Sequence, residues 1–453
     1  MKNIITKEIE KYRTKIEELS KSTKFITRKV KITGLNFIGT LMNVNSDSIM
    51  SDENLCSNMG EDYDINLTRQ GLNKRLHQEK SVEYLKEVTQ IILKERYKPV
   101  NKEIKGLLSP FNNTYIEDNS SISLPKDLKD KYKGSNGKAS SSALKIYVNY
   151  NVTQNSIEDL EISSWNKSDA KFTGNIIPIL KKNDLVLRDL GFFKIDRFKE
   201  IEEKKAYYIS RYFLATNIYI NDKKVELLDF LKSKKRYNII DEEVKISTKK
   251  LSTRLVAIRV SDDIYAKRVQ ALNKKYRQLR KTPKKTTIEL QRYIIFITNI
   301  PKEITSAQYI GTIYRLRWSI ELLFKRWKSI FKIDRVTGKR GNRTLCFIYA
   351  KLIAILLISN FENYAIFLAQ KIGRALSYEK FLKWILTRDR FQRLFAFEFS
   401  IQVFLKKIKD NIPKMLQDRR KKRLSSLELI ISYASFYNSD WSLVDAYAIK
   451  LNL

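Results

Sequence analysis

The clearest chemical spacing in this chain belongs to Tyr314, Arg317, Glu321 and Lys328, in the order Tyr-x2-Arg-x3-Glu-x6-Lys. They lie in the segment Ile304 to Phe331, whose apolar periodicity predicts one amphipathic helix. At about 100° per residue the four side chains fall within an arc of roughly 60°. Leu316, Ile320, Leu323, Phe324, Trp327, Ile330 and Phe331 take a neighbouring arc that would pack on a sheet. Glu321 would then stand at the edge of a core, with cations one or two turns away. A surface ladder of i, i+4 charges has the same spacing, so the helix alone decides nothing.

Two further carboxylates carry the argument on. Asp118 is placed at the end of a first β-patterned run and Asp189 at the end of a fourth. If those strands are adjacent and parallel, both side chains emerge at the sheet edge where ligand sites collect. With Glu321 they make three oxygen donors with no His or Cys beside them, a set suited to hard cations such as Mg²⁺ or Mn²⁺. Two such ions about 3.5–4 Å apart clamp the attacking and leaving oxygens of an in-line phosphoryl displacement. A single Asp at a strand end is more often a turn or cap residue. What distinguishes these three is their joint occurrence.

The elements that must position them follow from residue texture. Thr114 to Asp118, Ala143 to Tyr150, Ser156 to Ser163 and Asp184 to Asp189 are β-rich runs, and Lys167 to Leu180 is helix-compatible. Strand, strand, strand, helix, strand is the order in which a ribonuclease-H-like core begins, a mixed sheet flanked by helices in the α/β class. Residues 206–290 give further β-patterned runs, including Tyr237 to Ile240 and Leu255 to Val260, and read as a β-rich insertion. Within it, Lys267 to Lys285 holds nine Lys or Arg and no acid. Lys274, Lys275, Arg277 and Arg280 in that stretch would track phosphates, or else form a solvated helix face. Arg292 to Thr298 resumes the core, giving catalytic parts at 106–205 and 291–358.

Residues 1–105 read as helical and polar, with an acidic, Asn-rich interruption between Met42 and Asp64. Leu67 to Leu76 resembles the second half of a helix-turn-helix: Thr68 can cap a helix from which Arg69, Lys74 and Arg75 project. Any basic capped helix looks similar. Residues 359–453 read as helical, with a second basic cluster from Arg419 to Arg423.

Composition bounds the partner. The chain has 453 residues, with 87 Lys plus Arg against 50 Asp plus Glu, a formal charge of +37. So large an excess implies a polyanion, first of all nucleic acid. An AT-rich coding bias enriches Lys, but it should enrich Glu as well. No basic amphipathic anchor beside a lipidation signal points to a membrane surface. Cys56, Cys346 and His77 are too few for a closed zinc site, and His77 lies in a polar helical stretch that places it at the surface. Leu345 to Ser359 is the longest apolar stretch, but Lys351 interrupts it, and it reads as a buried helix rather than a membrane span. The first residues lack the apolar core of a signal peptide, which makes the cytoplasm the expected location, with the nucleoid when bound to DNA.

The four-residue spacing matches in full the Y-R-E-K signature of DDE transposases of the insertion sequence four family. Leu187-Arg-Asp-Leu-Gly-Phe-Phe resembles that family's motif around its second aspartate, with Asp189 in the catalytic place and Gly191 and Phe193 as companions. Asp118-Asn-Ser-Ser-Ile-Ser-Leu-Pro resembles the segment around the first aspartate, with Asn119 and Ser120 where Ser and Thr are usual and Glu117 adjacent. The resemblance covers about residues 105 to 355. It implies that Asp118, Asp189 and Glu321 hold two Mg²⁺ (or Mn²⁺) ions. These would promote hydrolysis at a transposon end and then attack of the freed 3′-hydroxyl on target DNA. Tyr314, Arg317 and Lys328, with Lys325 beside them, would grip phosphates. Trp318 would stack on a displaced base or belong to the core. The implied partners are double-stranded DNA, as terminal inverted repeats and target, and a second copy of the chain in a synaptic complex. Rival expectations are a stand-alone nuclease of the same fold and a non-catalytic DNA-binding regulator.

Overall fold

The computed structural model describes residues 2–27, 31–42, 51–95, 106–134, 140–335, 341–387, 390–395 and 400–418. The basic cluster from Arg419 to Arg423 lies outside the described residues. The architecture is mixed α/β, a ten-stranded sheet with helices on both faces. Its strands are β1 (Thr114–Ser123), β2 (Ala143–Asn151), β3 (Ser156–Ser164), β4 (Leu185–Arg188), β5 (Tyr207–Arg211), β6 (Ile218–Ile220), β7 (Lys223–Val225), β8 (Ile239–Ile246), β9 (Leu251–Arg259) and β10 (Tyr293–Thr298). They lie in the order β3-β2-β1-β4-β5-β10-β9-β8-β6-β7. Strands β1, β4 and β5 are mutually parallel, and every other pairing is antiparallel. Residues 206–290 thus contribute β5 to β9 to the same sheet as the other strands. Strand β4 is buried at all four residues, as a central parallel strand covered on both faces must be.

Alternation along the strands divides the core in two. Ile116, Leu185, Leu187 and Ile209 face one apolar cluster, while Tyr115, Val186 and Tyr208 face the other. The second face is covered by α6 (Ile195–Glu203) and α7 (Leu227–Ser233), through Phe198, Ile201 and Leu231. The insertion's basic residues lie largely on α8 (Asp262–Gln278), which is followed by the short α9 (Lys285–Glu289).

The first face is covered by α10 (Ala307–Tyr314) and α11 (Trp318–Ser329), whose Ile320, Phe324 and Trp327 are buried. Burial of each such side chain is worth about 1.5–3 kcal/mol. Gly311 allows α10 to approach closely: a Cβ there would stand 3.1 Å from Ile258 and 3.6 Å from Phe296.

Below these lie α12 (Gly341–Lys371) and the terminal helices. The amino-terminal set is α1 (Lys2–Ser22), α2 (Gly34–Leu41), α3 (Asp52–Tyr63), α4 (Arg69–His77) and α5 (Glu79–Glu95). The carboxy-terminal set is α13 (Tyr378–Leu386), α14 (Arg390–Phe395) and α15 (Ile401–Asn411). Helix α12 is long and apolar enough to cross a membrane, but here it is a core helix packed against α2, α4, α5 and α15. Its Lys351 is buried and donates to the Lys332 carbonyl at 2.8 Å.

Four sequence expectations need correction. The segment expected as one helix is two, α10 and α11, joined by a 3-10 turn at Arg315–Arg317. Lys167 to Leu180 holds only a 3-10 turn, Asp169–Lys171, followed by further turns. Gly174 and Pro178 interrupt any longer helix, and Phe172 instead stacks on Tyr147 at 5.1 Å. The acidic segment before Asp64 contains α3, capped by Ser51 and started by Asp52 and Glu53, which suit a helix amino terminus. Finally, His77 is half-buried at the end of α4, where its carbonyl accepts from Asn342 at 3.0 Å.

Candidate active site

Asp118 does not end its strand, as its sequence had indicated, but sits in the middle of β1, which runs on to Ser123 against β2. What ends nearby is the neighbour. The parallel register pairs Ile116 with Leu187, and β4 stops at Arg188. Two residues beyond that couple are Asp118 and Asp189, so the two carboxylates are level on adjacent strands, facing α11. Beyond Arg188 the chain leaves the strand through a 3-10 turn at Leu190–Phe192. In that turn a Cβ at Gly191 would lie 3.2 Å from the Asp169 carboxylate.

The helical residues complete the cluster. Arg317 makes an i, i+4 ion pair with Glu321, and its guanidinium lies 3.6 Å from the Asp118 carboxylate. The 3-10 turn leaves that i, i+4 relation intact. Tyr314 is buried, and its hydroxyl donates to the Arg188 carbonyl at 3.1 Å. It therefore ties α10 to the end of β4. Asn119 donates its main-chain N–H to Asp118 at 2.8 Å.

The electrostatics show the same convergence. Burial pushes the Asp118 carboxyl up to about 6; Asp189 and Glu321 add to the rise, and the Asn119 amide and Arg317 oppose it. Among the described residues, no three His, Cys, Asp or Glu side chains are disposed closely enough to hold an ion as they stand. Arg317 serves instead as the shared counter-charge of Asp118 and Glu321. The donors are nonetheless hard oxygens only, a set whose chemistry fits a divalent cation of the Mg²⁺ class.

Behind the cluster, on the other sheet face, lies a feature that the sequence did not reveal. Glu117 and Arg188 are both fully buried and pair at 2.9 Å. Tyr147 donates its hydroxyl to Glu117 at 2.8 Å, and Arg188 donates to the Thr173 carbonyl at 2.6 Å. Glu117 thus faces away from Asp118 and is no substitute for it. An arginine inside the run Leu185-Val-Leu-Arg was the available signal, since a cation there needs a buried partner.

The order and spacing of these groups agree with what the chain is similar to. A family model described as the transposase DDE domain matches residues 110–357. The chain belongs to the DDE transposase family. The matched DDE transposase residues include Asp118, Asp189 and the whole Tyr314 to Lys328 segment. The chain is 30% identical over 367 residues to the transposase for insertion sequence element IS1151 of Clostridium perfringens, covering 76% of this chain and 77% of that one. It is also 30% identical over 376 residues to the transposase for IS231F of Bacillus thuringiensis subsp. israelensis, covering 78% of each. A shorter likeness, 36% over 74 residues, links it to the putative transposase InsL for IS186A of Escherichia coli, covering 16% of this chain and 20% of that one.

The other candidate residues of this DDE transposase are spread around the cluster. Lys328 is half-buried two turns beyond Glu321 on α11, and Lys325 is exposed. Trp318 is 39% exposed at the start of α11 and does not belong to the core. Lys274, Lys275, Arg277 and Arg280 are exposed along the end of α8 and just past it. On α4, Thr68 caps the helix through the Gly71 N–H at 3.1 Å. Arg69 is exposed and pairs with Glu53 at 2.9 Å, and Lys74 is exposed. Arg75 does not project freely: it folds back toward the Gly71 carbonyl at 3.4 Å.

Proposed function

We propose that this chain is a DNA transposase that excises and inserts an insertion sequence by metal-dependent phosphoryl transfer. Asp118, Asp189 and Glu321 are its catalytic carboxylates. The observation that carries the reading is the level placement of Asp118 and Asp189 on adjacent parallel strands, with the Arg317–Glu321 pair against them. The sheet around them corresponds to a ribonuclease-H-like core. Residues 1–105 serve DNA binding, and residues 359–453 serve dimerisation.

The three carboxylates would hold divalent ions, two Mg²⁺ or Mn²⁺, which supply Lewis-acid activation of water and of the DNA 3′-hydroxyl when bound. The protein's own residues do the rest. Asp118 is held within β1, and Asp189 follows directly on the last residue of β4, so the paired strands set their relative level. Arg317 neutralises carboxylate charge in the free protein, and its planar fork suits bidentate contact with a phosphate when DNA arrives. Tyr314 holds the end of β4, and hence Asp189, against α10. Lys325 and Lys328 add point charges along the incoming strand. The exposed cations of α8, and the exposed Arg69 and Lys74 on α4, bind the duplex.

The substrate is double-stranded DNA, first as the element's terminal inverted repeats and then as target. Two ends must be held together for joining, which calls for two copies of the chain. The test uses a labelled duplex carrying the terminal repeat of the encoding element, a target plasmid and Mg²⁺. The wild-type chain should nick the end and join it to the plasmid. The variant Glu321→Gln should do neither while binding the end nearly as well. Cleavage by Glu321→Gln would overturn the site, and nicking without joining would identify a nuclease instead.

A further inference from the structure

A third strand contributes to the same level of the sheet. The register of β4 with β5 runs to Arg188 opposite Ser210, so Asp189 and Arg211 are the next positions along the two chains. Asp118, Asp189 and Arg211 each lie two residues past the aligned Ile116, Leu187 and Ile209 of the three parallel strands, and so stand at one level on the face covered by α10 and α11. Strand β10 pairs Phe296 with Arg211, and the Phe296 ring lies 5.9 Å from the guanidinium. Among the described residues, no carboxylate or carbonyl accepts a hydrogen bond from that guanidinium. Burial lowers its proton affinity, with Asp189 among the groups opposing and Arg317 adding to the effect. An arginine nevertheless stays charged.

A second cation lies near it. Arg268, on the inward side of α8, donates to the Tyr293 carbonyl at 3.1 Å. Burial, and after it the Arg211 charge, push the Arg268 guanidinium down to about 10. Two arginines repelling one another in a partly desolvated place, with no carboxylate hydrogen-bonded to Arg211, are set out for an anion. Lys275, seven residues along α8 from Arg268 and on the same stripe, continues the positive line to the exposed basic face.

We infer that Arg211, with Arg268 behind it, seats a DNA backbone phosphate immediately beside the linkage that is cut. The inference rests on the transposase reading above and adds a phosphate-contacting residue on β5 that its motifs do not include. A guanidinium at this level would orient the cut strand against Asp118 and Asp189 and leave the ion-holding carboxylates to α11 and the two neighbouring strands.

The test is a binding cycle without divalent metal, read by gel shift, on the full-length chain and the terminal-repeat duplex. Uncharged methylphosphonate replaces, in turn, the cut linkage and the linkages on either side of it. Arg211→Met should weaken binding to the all-phosphate duplex by roughly 10-fold, the lower range for a charged hydrogen bond. Methylphosphonate at one of the three positions should weaken wild-type binding by a similar factor. The two changes together should cost no more than either alone. Multiplying penalties at all three positions would overturn the inference. Arg211→Lys, which keeps a point charge, should recover part of the binding to the all-phosphate duplex and none at the sensitive position. It decides the matter if the Met variant does not fold. Multiplying penalties in a chain that still nicks and joins its end would sink the Arg211 contact alone. A wild-type chain that neither binds nor cuts the duplex would sink this inference and the transposase reading together.

Discussion

Glu117 and Arg188 form a fully buried ion pair one residue behind Asp118 and Asp189, on the opposite face of the same two strands. The register that makes the pair also makes the two aspartates level. Any slip of β1 against β4 would break both at once, because a one-residue shift turns every side chain to the other face. The pair therefore locks the alignment of the candidate site from below.

That lock predicts a stability pattern. Removing one partner, as in Glu117→Gln or Arg188→Met, should destabilise the chain by about 3–5 kcal/mol, because the remaining charge is buried and unpaired. Replacing both with apolar residues of similar size should cost clearly less than the two single changes combined. Denaturant unfolding of the four proteins closes the cycle. Additive losses would mean that the two side chains do not act as a pair.

Asp118 predicts a pH effect in the metal-free protein. Its carboxyl is raised to about 6 by burial first and by Asp189 and Glu321 after it. Between about pH 4 and pH 6 the folded chain then holds this proton more tightly than the unfolded chain does. Stability should fall as pH rises through that window. Asp118→Asn removes the titration, so the variant should gain on the wild type by on the order of 1–2 kcal/mol from pH 4 to pH 7. Paired thermal melts across that range measure it, and a constant difference would mean that Asp118 titrates normally.

The exposed cations of α8 predict a salt effect. If Lys274, Lys275, Arg277 and Arg280 each meet a phosphate, replacing all four with Gln should lower the slope of log affinity against log salt by up to about 4. The loss should be similar for the terminal repeat and for unrelated duplex DNA, since phosphates carry no sequence. A slope equal to that of the wild type would make this a merely solvated face.

Much of this was legible in the sequence, and the misses have physical causes. The four strand runs before Asp189 were read from their β-rich texture, and the parallel adjacency of the first and fourth, which the sequence offered only as a condition for bringing Asp118 and Asp189 to one edge, is what β1 and β4 show. The place of Asp118 within β1 was hidden because β2 pairs with β1 as far as Ser123, whereas β4 stops at Arg188. No property of either strand alone reveals that mismatch. Helix α3 was missed because its buried apolar side chains are only Leu55 and Met59, too few to give a period amid acidic and amide residues. Arg211 and the Glu117–Arg188 pair were passed over because charged residues in strands read as surface until the register shows what faces them.

Helix α12 ties the amino-terminal helices to the rest at several points. Arg343 pairs with Asp52 ahead of α4, Cys346 donates to the Leu76 carbonyl within α4, and Asn342 reaches the carbonyl of His77. Gly341, at the other side of the same turn, donates its N–H to Asp127 just past β1. One helix thus contacts both the helix proposed to touch the duplex and the segment just past the strand that carries Asp118. In such a molecule the offset between bound sequence and severed bond is a fixed gauge, machined into the protein, and inserting base pairs between the two should misplace the cut rather than stretch the enzyme to follow it.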